Sequence, residues 1–205
     1  MRIYARLEKI ILMLRLRMYK CKYKSRLLID ENIKLRRGYE INIKGEGGQV
    51  QIGDNCLLGK ASKIITQSDG RVSIGKNTSI RRESIVSAVD QVAIGDNVII
   101  SRNVVIVDNN HPTHPSDRLK LIASGFGSKL WGWEYSISSP IIINDNVWIG
   151  EGVRILKGVE IGKNSIVGAC AVVTKDVLGN LIVGGNPAKV LKENINQFEE
   201  PSIDT

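Results

Sequence analysis

A strict six-residue spacing of branched aliphatic residues constrains this chain more than any other feature. Between residues 143 and 173 every sixth position is isoleucine or valine: Ile143, Ile149, Ile155, Ile161, Val167 and Val173. This spacing fits neither an α-helix, which repeats every ~3.6 residues, nor a single strand, which repeats every ~2. It predicts a solenoid whose short flat sides each point one aliphatic side chain inward, with small residues at the corners.

The same spacing recurs three times earlier in the chain, so the solenoid is predicted to span most of the sequence. The earlier sets are Ile52, Leu58 and Ile64, then Ile74, Ile80 and Val86, then Ile94, Ile100 and Ile106. Three sides make one coil of eighteen residues. A looser set, Ile29, Leu35 and Ile41, predicts a ragged first coil. Gly-Gly-Asn-Pro at residues 184–187 predicts the end of the solenoid.

One long interruption breaks the register beside one of the two histidines of the chain. The coil that begins at Ile94 ends on Asp108-Asn109-Asn110-His111-Pro112, and the spacing resumes at Ile143. Residues 112–142 are therefore predicted to be an inserted loop without a strong helical period, ordered because it contains tryptophans. A loop of this length in a compact domain is usually functional or disordered. His111 is thus the first candidate for chemistry.

The N-terminal segment, residues 1–28, carries the net charge of the chain. It holds nine basic residues and one acid, whereas the remaining residues hold twenty of each sign. Ile3, Leu7, Ile10, Leu14, Met18 and Cys21 recur at spacings of three and four, which predicts an amphipathic helix. Two interpretations stay open: the apolar stripe packs on the end of the solenoid, which we favour, or it contacts an anionic membrane surface. Nucleic-acid binding is not predicted, because no aromatic stacking residues accompany the charge.

The composition excludes several other classes of protein. Three dispersed cysteines argue against a disulfide framework and against a zinc site, so no metal is predicted. The longest early apolar run, Ile10 to Leu14, is too short for a signal peptide or a membrane span, and a cytoplasmic location is expected.

Three motifs together resemble the hexapeptide-repeat acetyltransferases, and most closely those that acetylate hydroxyls of sugars and polysaccharides. The motifs are Asn110-His111-Pro112 with Thr113-His114 after it, the block 146–150, and the ending formed by 173–176 and 185–190. The resemblance covers roughly residues 30–192 and implies a left-handed parallel β-helix, a mainly β fold. We expect this β-helix over residues 29–187. Residues 188–205 are predicted to form a short C-terminal helix and a tail.

The resemblance implies transfer of an acetyl group from acetyl-CoA to a hydroxyl of a sugar or surface polysaccharide, of the capsule or O-antigen type. It also implies a homotrimer with active sites in clefts between subunits. A sugar hydroxyl is a weak nucleophile and needs a base, a role that neutral histidine can fill. His111 is the predicted base, and Asp108 or a backbone carbonyl would hold its second ring nitrogen. Because no cysteine lies near His111 in sequence, direct transfer without an acyl-enzyme is expected.

The resemblance places Trp148 against both the catalytic histidine and the pantetheine arm of the coenzyme. The implied coenzyme contacts are Trp148, Gly150, Gly168, Ala169, Thr174, Lys175, Lys189 and Lys192. Glycines permit close approach, and lysines suit phosphates as point charges. Related enzymes often carry arginine at the last two positions, so the phosphate contacts are less well defined here. The candidate acceptor contacts are Arg81, Arg82, His114, Trp133 and Tyr135.

Other functions on this fold remain to be separated. A sugar-amine N-acetyltransferase also needs a base, so His111 does not distinguish it from an O-acetyltransferase. A non-catalytic scaffold would not need His111 at all. A zinc hydratase of the carbonic anhydrase type needs three histidine ligands, and this chain has two.

Overall fold

Three parallel β-sheets wrap around a single core to form a β-helix of about six coils. The computed structural model describes residues 2–30, 32–128, 131–132 and 136–195, with side chains from residue 7 onward. The chain steps from the first side to the second and then the third, and each strand pairs in parallel with its counterpart in the next coil. The predicted solenoid is therefore confirmed; the left hand of the coil stays a prediction.

Each side of the β-helix is one sheet, and the strands are numbered along the chain. The first side contains β1 Leu27–Ile29, β4 Gln49–Ile52, β7 Arg71–Ile74, β10 Gln91–Ile94, β15 Ile141–Ile143 and β18 Glu160–Ile161. The second contains β2 Lys34–Leu35, β5 Leu57–Leu58, β8 Ser79–Ile80, β11 Ile99–Ile100, β16 Trp148–Ile149, β19 Ile166–Val167 and β21 Ile182–Gly184. The third contains β3 Glu40–Ile43, β6 Lys63–Thr66, β9 Ile85–Ala88, β12 Val105–Val107, β17 Arg154–Ile155 and β20 Val172–Val173.

The core is the column of aliphatic side chains that the six-residue spacing predicts. All fifteen inward positions of the strict register, from Ile52 to Val173, are at most 3 % exposed. On the second side, for example, Ile100 is in register with Ile80 below it and Ile149 above it. Each such side chain contributes roughly 1.5–3 kcal/mol when fully buried, so the stacked column supplies most of the stabilisation.

The repeated phrase Ile-Gly-Asp/Lys-Asn forms the first corner, which is the turn between the first and second sides. Asn77 adopts a φ of 56°, in the left-handed region that asparagine tolerates better than most residues. Its Nδ2 donates to Asn97 Oδ1 in the next coil at 3.1 Å. A Cβ at Gly75 would lie 2.5 Å from the carbonyl carbon of Gly95, so glycine is required where the coils stack.

The insertion contains more regular structure than its sequence predicts. Strand β13, Asn109–Asn110, pairs antiparallel with β14, Ile137–Ser138, and joins the two ends of the insertion. Between them lies helix α2, Pro115–Ala123. The sequence predicts an ordered loop without a strong helical period, and α2 shows no such period because it is almost entirely solvent-exposed. It buries Leu121 alone among its residues, so its sequence carries no apolar stripe of the usual width.

The predicted C-terminal helix is wrong over the described residues. Strand β22, Lys189–Lys192, turns back and pairs antiparallel with β21. The last strand of a sheet has unpaired backbone N–H and C=O groups, and a returning strand satisfies them where a helix would not. Residues 196–205, the predicted tail, lie outside the described residues.

Helix α1, Arg2–Tyr23, covers the N-terminal end of the solenoid and is followed by a short 3₁₀ turn, Lys24–Arg26. The helix prediction is confirmed, but the predicted packing face is wrong. Leu12, Leu16 and Tyr23 are buried, whereas the stripe expected to pack is exposed, with Leu14 at 51 % and Met18 at 70 %. Tyrosines decide the orientation: the hydroxyl of buried Tyr39 donates to the Leu12 carbonyl at 3.2 Å. Neither described helix has the length and hydropathy needed to cross a bilayer.

Candidate active site

His111 lies at the base of the insertion, immediately after β13. Because β13 pairs with β14, both ends of the insertion are held together next to this residue. The imidazole is exposed, and its centroid lies 6.5 Å from that of Trp131 with the rings inclined at 68°. Two buried polar atoms, Asn109 Oδ1 and Trp131 Nε1, have no hydrogen-bond partner within the described part of the chain. An exposed histidine and unsatisfied polar groups thus occur together.

Asp108 stabilises the third corner, which is the turn from the third side back to the first. Its buried carboxylate accepts hydrogen bonds from the backbone N–H groups of Val89 at 2.9 Å and Asp90 at 2.8 Å. Burial raises the pKa of this carboxyl, and the amide donors partly oppose that effect. The Asp108 carbonyl also accepts from the Ser139 N–H at 2.9 Å, where the insertion rejoins the coil. These contacts are structural; a role of Asp108 in fixing the imidazole stays a prediction.

A groove of about 1130 Å³ runs along the second corner, the turn between the second and third sides. Trp148, half-exposed, forms part of its wall, and the neighbouring strands place Ile99 and Ile166 on either side of the indole. The indole Nε1 lies 3.4 Å from Ser101 Oγ. This part of the groove is an apolar strip with one polar contact, which suits a thin and largely uncharged ligand arm.

Gly150 and Gly168, the two glycines predicted to contact a coenzyme, line this groove together with Ala169. Glycine occurs at these two positions for different structural reasons. A Cβ at Gly150 would lie 2.6 Å from the Ala169 backbone nitrogen, so the stacking of coils alone requires glycine there. At Gly168 the atom nearest to an added methyl group would be the Val183 carbonyl oxygen at 3.3 Å. A methyl group nearly fits at residue 168, so glycine there mainly deepens the groove.

The four polar residues predicted near the nucleotide end of the coenzyme fall into two places. Lys189 and Lys192 are exposed on β22, which continues the sheet of Trp148 with two strands in between. Thr174 and Lys175 are exposed after β20, on the third side. None of the four is among the described residues that line the groove. The lysines of β22 therefore extend the face that carries Trp148, and the other pair does not.

Arg81 and Arg82 line the same groove as Trp148. With them are four basic residues that sequence reasoning missed: Arg36, Arg37, Lys60 and Arg102. The signal was present, because Arg37, Lys60 and Arg102 each stand two positions after an inward residue of the second side, as Arg82 does.

The remaining acceptor candidates lie in the insertion. His114 directly precedes α2 and is its N-cap residue, and its Nδ1 lies 2.8 Å from Ser116 Oγ; the imidazole makes no capping hydrogen bond to the helix backbone. Trp133 and Tyr135 lie outside the described residues.

The predicted site residues thus separate into two groups within one chain. His111 and Asp108 follow the third side, whereas Trp148, Gly150, Gly168, Ala169, Arg81 and Arg82 flank the second corner. His111 is not among the described residues that line the groove. The candidate base and the candidate donor groove therefore belong to different sides of the prism.

Two family models match the repeat. The model described as bacterial transferase hexapeptide (six repeats) matches residues 140–175, and that of the hexapeptide repeat of succinyl-transferase matches residues 49–70. The galactoside O-acetyltransferase of Lactococcus lactis is 31% identical over 156 residues, covering 75% of this chain and 67% of that protein. The galactoside O-acetyltransferase of Escherichia coli (strain K12) is 38% identical over 122 residues, covering 60% and 54%. The match thus spans between about half and two thirds of these relatives.

Solved structures agree with these sequence matches. A galactoside acetyltransferase in complex with coenzyme A superposes with a TM-score of 0.59 at 33% identity, covering 69% of this chain and 64% of that one. An N-acyltransferase from Bacillus cereus has a TM-score of 0.69, covering 86% and 88%, but is 17% identical and shares the fold alone. Fold and repeat together define a hexapeptide-repeat acyltransferase. The chain belongs to the hexapeptide-repeat acetyltransferase family, and within it to the sugar O-acetyltransferase type.

Proposed function

We propose that this chain transfers an acetyl group from acetyl-CoA to a hydroxyl of a sugar or surface polysaccharide, with His111 as the general base. The observation that carries the proposal is the position of His111 at the one long break in the register, fixed by β13 and β14. The similarity to galactoside O-acetyltransferases supports the reaction class. An acceptor of the capsule or O-antigen type is the narrower form of the proposal.

His111 accepts the proton of the acceptor hydroxyl while the hydroxyl oxygen attacks the thioester carbonyl carbon. A C–O bond forms, the carbonyl oxygen becomes an oxyanion, and its collapse breaks the C–S bond. The imidazolium then returns its proton to the leaving sulfur, so the products are an acetyl ester and coenzyme A. General-base catalysis of this kind contributes about 10²–10⁴-fold to the rate. No acyl-enzyme is required.

The apolar part of the groove fits the coenzyme's pantetheine arm. Trp148 and Ile166 provide an apolar wall, and Gly168 leaves the floor without a side chain. On β22, Lys189 and Lys192 stand farther along the same side, where they would bind phosphates. In this proposal, these residues hold the donor in an extended form along the coils.

We propose that the functional unit is a homotrimer, because one chain separates the base from the groove. Three copies around an axis parallel to the prism would bring the third side of one copy to the second side of its neighbour. Half-exposed Ile99 and Trp148 would then be covered. His111 of one copy would face the Trp148 groove of the next.

Subunit mixing tests this arrangement. His111→Ala and Trp148→Ala chains are co-expressed with different tags, and the mixed trimers are assayed for coenzyme A release. If each site combines two copies, one of the three sites in every mixed trimer keeps both residues, and the mixture exceeds both parent variants. Activity no higher than that of the parents would assign both residues to one chain. A monomer by light scattering would reject the trimer directly.

The catalytic proposal is tested by comparing the two histidines. His111→Ala should lower kcat/KM by about 10²–10⁴-fold, as expected for loss of a general base. His114→Ala is the matched control, because it lies in the same insertion with its ring turned to Ser116, and we expect a much smaller change. Full activity of His111→Ala would support a different function or a scaffold.

A panel of acceptors separates O- from N-acetylation. Galactosides and other neutral sugars are compared with amino sugars of the same ring, and coenzyme A release is followed with each. Preferential transfer to hydroxyl acceptors supports the proposal. Preferential transfer to amino sugars would instead assign an N-acetyltransferase on the same fold.

We further propose that helix α1 rests on an anionic membrane surface through its outer face. At about 100° per residue, the outer face lies opposite buried Leu12 and Leu16; it consists of Leu7, Ile10, Ile11, Leu14 and Met18, all at least 50 % exposed. Basic residues border it on both sides, with Arg17 along one edge and Lys22 along the other. Apolar residues flanked by cations suit the boundary between lipid headgroups and acyl chains.

Co-sedimentation with lipid vesicles tests this contact. The chain should bind vesicles that contain phosphatidylglycerol and bind pure phosphatidylcholine weakly, and added salt should reduce binding. Leu14→Ser with Met18→Ser should abolish binding, whereas Leu28→Ser, at a similarly exposed leucine of the solenoid wall, should not. Equal binding to both vesicles would reject the proposal. A changed oligomeric state of the double variant would assign the face to another copy of the chain.

A further inference from the structure

Four basic residues form a ladder along the second corner. Arg37, Lys60, Arg82 and Arg102 each follow an inward residue of the second side by two positions, and those inward residues are in register from coil to coil. The backbone carbonyls of Arg37, Lys60 and Arg82 each accept an N–H from the next coil. Successive members are therefore stacked about 4.8 Å apart, and the ladder spans about 14 Å. All four side chains are exposed.

The ladder is unusual when compared with the same positions at the first corner. There, two residues after each inward residue of the first side, the chain carries both signs of charge: Asp54, Lys76, Asp96, Asp145 and Lys163. At the second corner all four successive coils carry a cation. Within the described residues, Arg37, Lys60 and Arg82 form no salt bridge. Like charges this close repel one another, so the ladder is favourable only when something negative neutralises it.

The fourth member shows where the ladder ends. Arg102 pairs with Glu151 at 2.5 Å, and this contact raises the pKa of the guanidinium. Glu151 and then Ala169 occupy the corresponding positions of the following coils. The sign of charge therefore changes at the coil that carries Trp148. The groove is divided into a mainly cationic half toward the N-terminus, which Glu8 of α1 also lines, and an apolar half toward the C-terminus.

We propose that the cationic half is the acceptor subsite and that it binds an acidic saccharide carrying more than one negative group. This inference rests on the proposed acetyl transfer, since the apolar half is then occupied by the donor. A single carboxylate would neutralise one or two members of the ladder, whereas a saccharide with repeated carboxylates or phosphates can follow it across several coils. Arginine binds both groups in a bidentate manner, which fixes the orientation of the sugar as well as its charge.

The phosphates of the acyl donor are a second source of the same negative charge, and binding measurements separate the two. Trigalacturonate, maltotriose and coenzyme A are titrated separately into the full-length protein by calorimetry. Trigalacturonate should bind more tightly than maltotriose, and added salt should weaken it. Arg82→Gln should weaken trigalacturonate binding about tenfold, the typical size of one charge-assisted hydrogen bond, and leave coenzyme A binding unchanged.

Lys163→Gln is the matched control, because Lys163 is an exposed cation at the equivalent position of the first corner. It should alter neither ligand. Loss of coenzyme A affinity in Arg82→Gln, with trigalacturonate unaffected, would assign the ladder to the donor. Equal affinity for both trisaccharides would reject an acidic acceptor while leaving acetyl transfer intact. Conversely, ladder-dependent trigalacturonate binding without transfer to any acceptor would overturn the proposed function and leave the binding site.

Discussion

The first and second corners of this three-sided β-helix are similar turns of the backbone, but their polar side chains differ in what they bind. At the first corner asparagine and aspartate side chains bond to neighbouring coils: Asn55 donates to Asn77 at 2.8 Å, and Asp96 accepts the Lys76 N–H at 2.7 Å. At the second corner Arg37 and Arg82 extend into a groove and make no such bond within the described residues. The asparagines and aspartates of the first corner hold the coils together, whereas the side chains of Arg37 and Arg82 at the second corner are available to a ligand.

This difference indicates how a site can arise in a repeat protein. The stacking of inward aliphatic residues stabilises every coil in nearly the same way, so it says little about where function lies. The informative positions are those where the polar groups of the repeat no longer satisfy one another. In this chain they are the second corner and the break after Asp108.

The largest expected effect comes from a methyl group added at the first corner, and a methyl group added at the second corner serves as the comparison. In Gly75→Ala the new Cβ would lie 2.5 Å from the Gly95 carbonyl carbon, and we expect a loss of about 3 kcal/mol in unfolding free energy. In Gly168→Ala the nearest atom would be 3.3 Å away, and a loss below about 1 kcal/mol is expected. Urea unfolding measures both. Equal losses would show that residue 168 is as tightly constrained as residue 75.

A smaller effect is expected from removing one rung of the asparagine ladder. Asn77→Ala loses the hydrogen bonds to Asn55 and Asn97 and places alanine at a φ of 56°, so we expect a loss of about 1–2 kcal/mol. Asn77→Gly tolerates that φ and isolates the hydrogen-bond contribution. Arg82→Ala, at the second corner, should change stability by less than about 0.5 kcal/mol. A larger loss in Arg82→Ala than in Asn77→Ala would contradict the division between the corners.

The sequence predicted the core because the information is local. Each inward residue contacts its counterpart one coil away, and a six-residue period leaves no choice of register, so Ile52 to Val173 could be assigned without a structure. The break at His111 was visible for the same reason. The ladder of Arg37, Lys60, Arg82 and Arg102 was equally accessible, but it becomes visible only when the coils are aligned on their inward residues.

The incorrect predictions concern contacts that a local pattern cannot specify. Helix α1 has two apolar stripes on opposite faces, and tertiary contacts such as that of Tyr39 with the Leu12 carbonyl determine which one packs. The stripe with Tyr19 and Tyr23 looks more polar in sequence than the stripe with Leu14, yet it is the buried one. Strand β22 likewise forms because the edge of β21 is available, a fact that no local propensity contains.

The smallest expected effect concerns the third corner, which lies next to His111. It shows whether the carboxyl group of Asp108 has a structural role at this corner. Burial raises the folded-state pKa of Asp108 above its ordinary value of 3.8. The folded protein therefore binds this proton more tightly than the unfolded chain, and the stability that results is present below that value and is lost as pH rises through the raised pKa. Asp108→Asn cannot titrate, so the unfolding free energy of the native chain minus that of the variant should fall as pH increases from about 4 to about 8. Urea unfolding across this range measures the difference. A difference that grows with pH would mean that the Val89 and Asp90 amides outweigh burial, and the third corner would then resemble an anion-binding turn.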